Sequence, residues 1–261
     1  MKRLIALLTA FFLVASPALA GITQIAGSGT GGAIASANSG TGSLTTAAVS
    51  ANVATGSLIV IAVGNRTGTT TGWSCTDSAS TPNTYSVIGP FSSASTTTTA
   101  IFYAIAGASG NLVSGTTTVS CTVPGAAHTQ VTVYAFAGVN ASPLDKSGNN
   151  GAASASTSLS PVPSAATATL TCNSTGGAVA VGNLIGQNAP TNGGIGTGWT
   201  AGPLQQEGIS AWQIFNTNAG VQWTNSVTQT SGAWEGVVGV FKAASCGTAT
   251  VHTLLLTGVG D

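Results

Sequence analysis

Apolar residues in this chain gather in short runs bounded by Gly, Ser, Asn or Pro, and almost none recurs with helical spacing. Val, Ile, Thr and aromatic residues fill the runs, while the strong helix formers Glu, Lys and Arg are nearly missing, a combination that predicts strands. The clearest runs cover 57–64, 98–105, 116–123, 129–137, 177–185, 209–215, 221–227 and 234–242; weaker ones cover 22–26, 44–50, 84–88, 167–172 and 199–204. Roughly a dozen short antiparallel strands separated by turn residues predict an all-β chain folded as a jelly-roll-like β-sandwich.

The runs are of two kinds. Leu58-Ile59-Val60-Ile61-Ala62-Val63 loses alternation, as expected of a central strand covered on both faces. Thr116 to Val123 alternates, placing Val119, Cys121 and Val123 on one face and pointing Cys121 inward.

The chain also echoes itself. Val60-Ile61-Ala62-Val63-Gly64-Asn65 returns as Ala178-Val179-Ala180-Val181-Gly182-Asn183, and Gly72-Trp73-Ser74 as Gly198-Trp199-Thr200. The aromatic strand at Ile101-Phe102-Tyr103 has a partner around Trp212, and the segment from Val131 to Gly138 matches Gly236 to Ala243. The separation differs from motif to motif, so loops differ between the halves, about 44–139 and 157–244. One sandwich over 21–245 and two tandem small sandwiches both satisfy the pattern. A single domain is the expectation, because either half alone would expose strand edges. The Ser/Ala/Gly/Asn-rich stretch 140–163 reads as the connecting loop, and 246–261, with Leu254-Leu255-Leu256, as a tail that docks on the sandwich or a partner or stays disordered.

Residues 1–20 have a basic start (Lys2, Arg3), an apolar stretch from Leu4 to Ala15, and Ala18-Leu19-Ala20 as a small-x-small cleavage site. That is a secretory signal peptide. Its apolar run falls short of the ~20 residues that cross a bilayer, and no other stretch of the mature chain is a membrane span. The protein is expected to be secreted, extracellular or at the cell surface, periplasmic if retained, and in the virion if phage-encoded.

Charge then narrows the chemistry. Beyond the leader the ionisable residues are Arg66, Lys146 and Lys242 against Asp77, Asp145, Glu207, Glu235 and Asp261. With no basic stripe, nucleic acid has nothing to engage, and solubility rests on Ser, Thr, Asn and Gln. Four cysteines in an exported chain favour disulfides. The expected pairing is local, Cys75 with Cys121 and Cys172 with Cys246, with four buried free thiols as the alternative. No C-x-x-C pair is present to hold zinc.

Catalytic sets are thin. A Ser-His-Asp arrangement would have to recruit His128 or His252 with Asp77 or Asp145, and no G-x-S-x-G elbow is present. A glycosidase pair would need Glu207 with Glu235, or either with an aspartate. Asp77 and Asp145, each in a Ser/Asn/Pro setting, read as turn-formers rather than calcium ligands. The chain is therefore expected to be no enzyme and to need no cofactor and no metal. Binding of a glycan needs no charge, only aromatic faces and neutral hydrogen bonds. The candidates for it are Trp73, Trp199, Trp223 and Trp234 with Glu235 beside the last, Trp73 and Trp199 being the better exposed. Core packing is the competing role for these rings, and Trp212 belongs to the core.

Several motifs follow one another in a familiar order: Gly56 to Val63, Thr76-Asp77-Ser78 with Asn83-Thr84-Tyr85, Ile101 to Ala104, Val133 to Val139, Ser142 to Asp145, and Trp234 to Lys242. In this order the chain resembles a broad, mostly uncharacterised group of secreted bacterial and phage-encoded β-sandwich proteins, found as surface modules or virion-associated proteins. Members of the group carry Gly-Asn-Thr-Tyr where this chain has Pro82-Asn83-Thr84-Tyr85. The resemblance implies the fold and a non-catalytic role and assigns no catalytic residue. The expected function is a structural or adhesive module at the cell surface or in an extracellular assembly, with a glycan or a second copy as partner. The alternative is a carbohydrate-binding or host-recognition module of a phage particle.

Overall fold

The computed structural model describes residues 21–244 except 41, 94–95, 126, 154–155, 172–176 and 207. The leader, Cys172, Glu207, Cys246, His252 and the C-terminal tail therefore lie outside the described residues, and with them the expected Cys172–Cys246 pair.

The first half contains β1 (Thr23–Gln24), β2 (Ala35–Ser39), β3 (Leu44–Thr45), β4 (Leu58–Asn65), β5 (Ser74–Asp77), β6 (Ser86–Ser93), β7 (Thr97–Ile105), β8 (Val119–Thr122) and β9 (Thr129–Ala137). The second contains β10 (Val139–Ala152), β11 (Ala178–Gly186), β12 (Thr191–Asn192), β13 (Thr200–Gln205), β14 (Gly208–Phe215), β15 (Val227–Thr228) and β16 (Trp234–Ala243). All the pairings are antiparallel, so the chain is an all-β sandwich as its alternation predicted.

Two large sheets form the body, ordered β1-β9-β4-β7-β6 (with β2 also on β9) and β10-β16-β11-β14-β13. They pack face to face and are covered on their outer faces, giving four layers and three cores. Ile59, Ile61, Val63, Val131 and Val133 point outward against the β3-β8-β5 sheet. Leu58, Val60, Phe136, Val179, Val181 and Phe241 meet between the two large sheets. Ala180, Leu184, Val238 and Val240 point out against Trp199, Trp223 and Val227 of the second outer layer. Central strands buried on both faces cannot alternate, which accounts for the continuous apolar runs of β4 and β11.

The halves repeat one another strand by strand. β9 flanks β4 as β16 flanks β11, and the hairpin β6–β7 has its counterpart in β13–β14. In the second outer layer, the β12–β15 pair and the bridges Ser158–Thr228 and Val162–Trp223 stand where the first half has β3-β8-β5. Phe136 and Phe241 share the central core, and pairing through them aligns Leu58 with Val179 and Ile105 with Ile214.

That alignment corrects the echo read from sequence. Val60 falls on Val181 rather than Ala178, a shift of three residues, and an odd shift sends every side chain to the opposite face. Trp199 matches Tyr85 rather than Trp73, since each stands immediately before an edge strand, β13 or β6. Both edge strands break register at a Gly-Pro step, Gly89-Pro90 and Gly202-Pro203. A Gly-Pro inside a strand pattern signals such a bulge, and this was the stronger repeat.

Three other expectations change. The supposed loop 140–163 begins as β10, a strand of fourteen residues, and the halves meet at Gly138, whose φ of 77° only glycine adopts freely. β10 has the composition of a loop but pairs along β16, and an edge position tolerates its Pro143, Asp145 and Lys146. The run 221–227 keeps its alternation yet is strand only from Val227, and the expected strand 167–172 is, over its described residues 167–171, a strap held by the Thr167 N–H to Val221 O bond.

Each half has its own outer core, but the two are not independent. Across the central interface Gln130 donates to Asn183 Oδ1 (3.2 Å) and Asn183 to Thr99 Oγ1 (2.8 Å). Tyr134 and Ser210 share a 2.8 Å bond, and Trp212 Nε1 donates to Gly31 O.

Candidate functional site

The tryptophans expected to face a ligand do not form one surface. Trp223 is wholly buried, and Trp199, 8% exposed, stacks on it with ring centroids 5.4 Å apart. Trp223 Nε1 donates to Ile195 O at 2.7 Å, and the ring lies on Gly182, where a Cβ would come within 2.5 Å of it. Trp234 is 3% exposed in the same core. Gly198 and Thr200 gave Trp199 a loop-like sequence setting, but the strap at 159–170 closes over this core. Trp73 alone of the four is half-exposed, its Nε1 bound to Thr69 O, on the opposite half of the molecule. Trp212 is half-buried against the central core.

Glu235 opens no sugar subsite. It is 2% exposed on β16 and faces the other half, where its Oε2 accepts from Ser93 Oγ and its Oε1 from Asn149 Nδ2 at 3.0 Å. Burial raises its pKa, only partly offset by those two donors. The same position in the first half is Gln130, which also crosses the central interface.

Asp77 is buried at the end of β5 and organises the loop after it. Oδ1 accepts from Ala79 N (3.0 Å), and Oδ2 from Asn83 Nδ2 (2.8 Å) and Tyr85 Oη (2.7 Å). The motif residues Asp77, Asn83 and Tyr85 thus converge on one network, and burial together with the Asp77 carboxylate pushes the Tyr85 hydroxyl pKa upward. Asp145 sits on the β10 edge, 3.4 Å from Lys146 Nζ, and accepts from both the N–H and the hydroxyl of Thr171.

These carboxylates are far apart in the architecture: Asp77 in an outer layer, Glu235 in the central interface, Asp145 on an outer edge. Among the described residues no three of His, Cys, Asp and Glu gather as metal ligands. Cys75 and Cys121 lie directly opposite each other on β5 and β8 and are joined as a disulfide, closing a separation of 46 residues.

What the described surface offers is neutral. Arg66, Asp145, Lys146 and Lys242 are half-buried, and Asp77 and Glu235 are buried. On the first outer layer Thr116, Thr118, Ser120 and Thr122 turn outward while Thr117, Val119, Cys121 and Val123 turn in. On the second, Thr224, Ser226, Thr228 and Thr230 are exposed while Trp223, Asn225, Val227 and Gln229 are buried. The two hydroxyl rows occupy matching places on opposite sides of the molecule.

One concavity adjoins the first row. A cleft of about 420 Å³ opens between the loop after β5 and the segment joining β7 to β8, lined by Ser78, Ser80, Ser109, Asn111, Val113 and Thr116 among others. In sequence this segment falls mostly between the strand runs 98–105 and 116–123 and carries no site signal, because Ser, Gly and Asn mark loops whether or not they line a cleft. Among the described residues no helix is long and apolar enough to cross a membrane. No protein-family model, curated protein or solved structure matches the chain.

Proposed function

We propose that this chain is an exported, non-catalytic β-sandwich that works by contact, as a structural or adhesive module at the cell surface or in an extracellular assembly. The observation that carries this reading is the pair of uncharged hydroxyl rows on opposite outer faces, in a molecule whose described charges are buried or half-buried. Such faces meet a partner through shape and neutral hydrogen bonds and carry little desolvation cost of charge. The sheet edges favour face contact over edge-to-edge growth. β6 and β13 are bent by their Gly-Pro bulges, and β10 is covered by bonds from Thr171 and from Asn150 to Pro161. The nested strand order of each half fits a jelly-roll-like unit, which would make the whole a duplicated one.

The test is attachment of the secreted mature chain to its own cells or to copies of itself, measured by surface retention and by light scattering after size exclusion. Thr118→Lys with Ser120→Lys on one face, or Ser226→Lys with Thr228→Lys on the other, should abolish attachment while leaving the melting transition within a few degrees. Attachment unchanged by charge on both faces overturns the reading. So does turnover of an ester or glycoside that Glu235→Gln or His128→Ala abolishes.

The cleft beside Asn111 favours a second reading, a carbohydrate-binding or host-recognition module, and it departs from the tryptophan-based site expected from sequence.

A further inference from the structure

We infer that the cleft between the 78–80 loop and the 108–117 segment is a binding site for the uncharged end of a saccharide, one or two rings long. The inference rests on the reading of the protein as a contact module and names what one of its surfaces would hold.

The cleft is held in shape before any ligand arrives. Asp77, 4% exposed behind its wall, fixes Ala79, Asn83 and Tyr85. From that loop Asn83 reaches across, donating to Gly110 O at 2.7 Å and accepting from Gly107 N at 3.1 Å. Ser80 Oγ adds a bond to Ser109 O at 2.9 Å. The far wall is tied by Ser114 N to Asn52 Oδ1 and Val113 N to Thr117 Oγ1, both 2.9 Å. A site whose walls are cross-linked in this way loses little entropy on binding.

The groups left over define the ligand. Thr55 Oγ1 donates to Asn111 Oδ1 at 3.0 Å, which orients the amide and leaves its Nδ2 hydrogens for a ligand. The Ser109 and Thr116 hydroxyls line the same cleft and donate to no other group among the described residues. Ala79, Ala108 and Val113, the last 50% exposed, supply methyl surface between them. No charged side chain lines it, so neither a phosphate, a carboxylate nor a cation is matched. Hydroxyls alternating with C–H faces are matched, and those are the two surfaces of a pyranose. The volume lies in the range of small-ligand pockets and suits a chain terminus better than a long polymer.

The probe is a panel of neutral sugars (glucose, galactose, mannose, N-acetylglucosamine and their β-linked disaccharides) titrated into the 15N-labelled mature chain. One of them should saturate shifts of the Ala108, Asn111 and Val113 amides. Asn111→Asp and Thr116→Val should each weaken that binding at least tenfold with the melting temperature unchanged, while Ser226→Lys with Thr228→Lys leaves it intact. No saturable shift from any sugar, or binding indifferent to both cleft variants, overturns the proposal. A sugar bound in the cleft by a protein that attaches to nothing sinks the contact reading and leaves the cleft site standing.

Discussion

The two halves share a strand order but hold their outer layers in place differently. In the first half β3, β8 and β5 hydrogen-bond as a sheet, and the Cys75–Cys121 disulfide staples β5 to β8. In the second, regular pairing shrinks to β12–β15 and two isolated bridges. Packing and side-chain amides take over there. Trp223 stacks on Trp199, Gln229 Nε2 donates to Ser156 O (3.0 Å) and Gln222 Nε2 to Pro163 O (3.1 Å). Topology decides where an outer layer lies, whereas the chemistry that fastens it is exchangeable.

The sharpest way to break the comparison is to remove the aromatic fastening. Trp223→Ala is expected to cost about 3–5 kcal/mol in urea unfolding, the range for truncating a buried tryptophan. Gly182→Ala should also destabilise, because its methyl group would meet the Trp223 ring. The two losses should sum to less in the double variant, since the clash disappears with the ring. Additive losses would mean that Gly182 is needed for another reason.

Removing the staple comes next. Cys75→Ser with Cys121→Ser should cost about 2–4 kcal/mol, from the closure entropy of a loop this long. Hydrogen exchange should quicken in β5 and β8 and leave β11, β14 and β16 protected. Equal loss of protection in both halves would show that the central interface, and not the staple, sets the stability of the first outer layer.

Much of this arrangement was written in the alternation of the chain. The doubly apolar β4 marked a central strand, and the alternating 116–123 marked an outer one. β10 was hidden because its fourteen residues include Pro, Asp, Lys and two Gly, and only the edge of β16 makes them a strand. The repeat was visible and in register at Phe136 and Phe241, but shifted at Val60 and Ala178, because low-complexity β sequence matches itself at several offsets while only one keeps faces aligned. The site was the least legible part. A Trp beside Gly and Thr looks exposed until the strap over it is placed, and that strap is a long-range contact without local signal. The cleft has the opposite difficulty, being made of the commonest turn residues in the chain.

A smaller effect should come from the paired positions that cross the central interface, Gln130 and Glu235. Gln130 is neutral and donates to Leu184 O at 3.1 Å; Glu235 places a carboxylate in an equally buried position. Because burial raises its folded pKa above the unfolded value, the native state holds the proton longer as pH rises. Stability is therefore greatest below the ordinary carboxylate range and declines as pH climbs from there through the raised folded value. Glu235→Gln should remove that decline, so the variant gains on the wild type from pH 4 to pH 8 in urea midpoints. A constant difference across that range would place the proton-linked loss elsewhere.

The smallest effect concerns an edge that only the second half must fasten. Asp145 accepts two bonds from Thr171 and pairs with Lys146, joining β10 to the strap. Burial alone would raise its pKa, but the Thr171 hydroxyl and N–H and the Lys146 charge outweigh it and hold the carboxyl below its usual range. The sign is opposite to that of Glu235. The contribution is complete above the unfolded value and disappears as pH falls through the lower folded one. Asp145→Asn should therefore cost about 1 kcal/mol at pH 7, because the Lys146 partner is 30% exposed and its charge is screened, and nothing at pH 2. If the loss persists at pH 2, the Thr171 bonds work without the charge. If none appears at pH 7, the strap is held by Leu170 N–H to Asn218 O (2.8 Å) and Asn150 Nδ2 to Pro161 O (2.8 Å) instead.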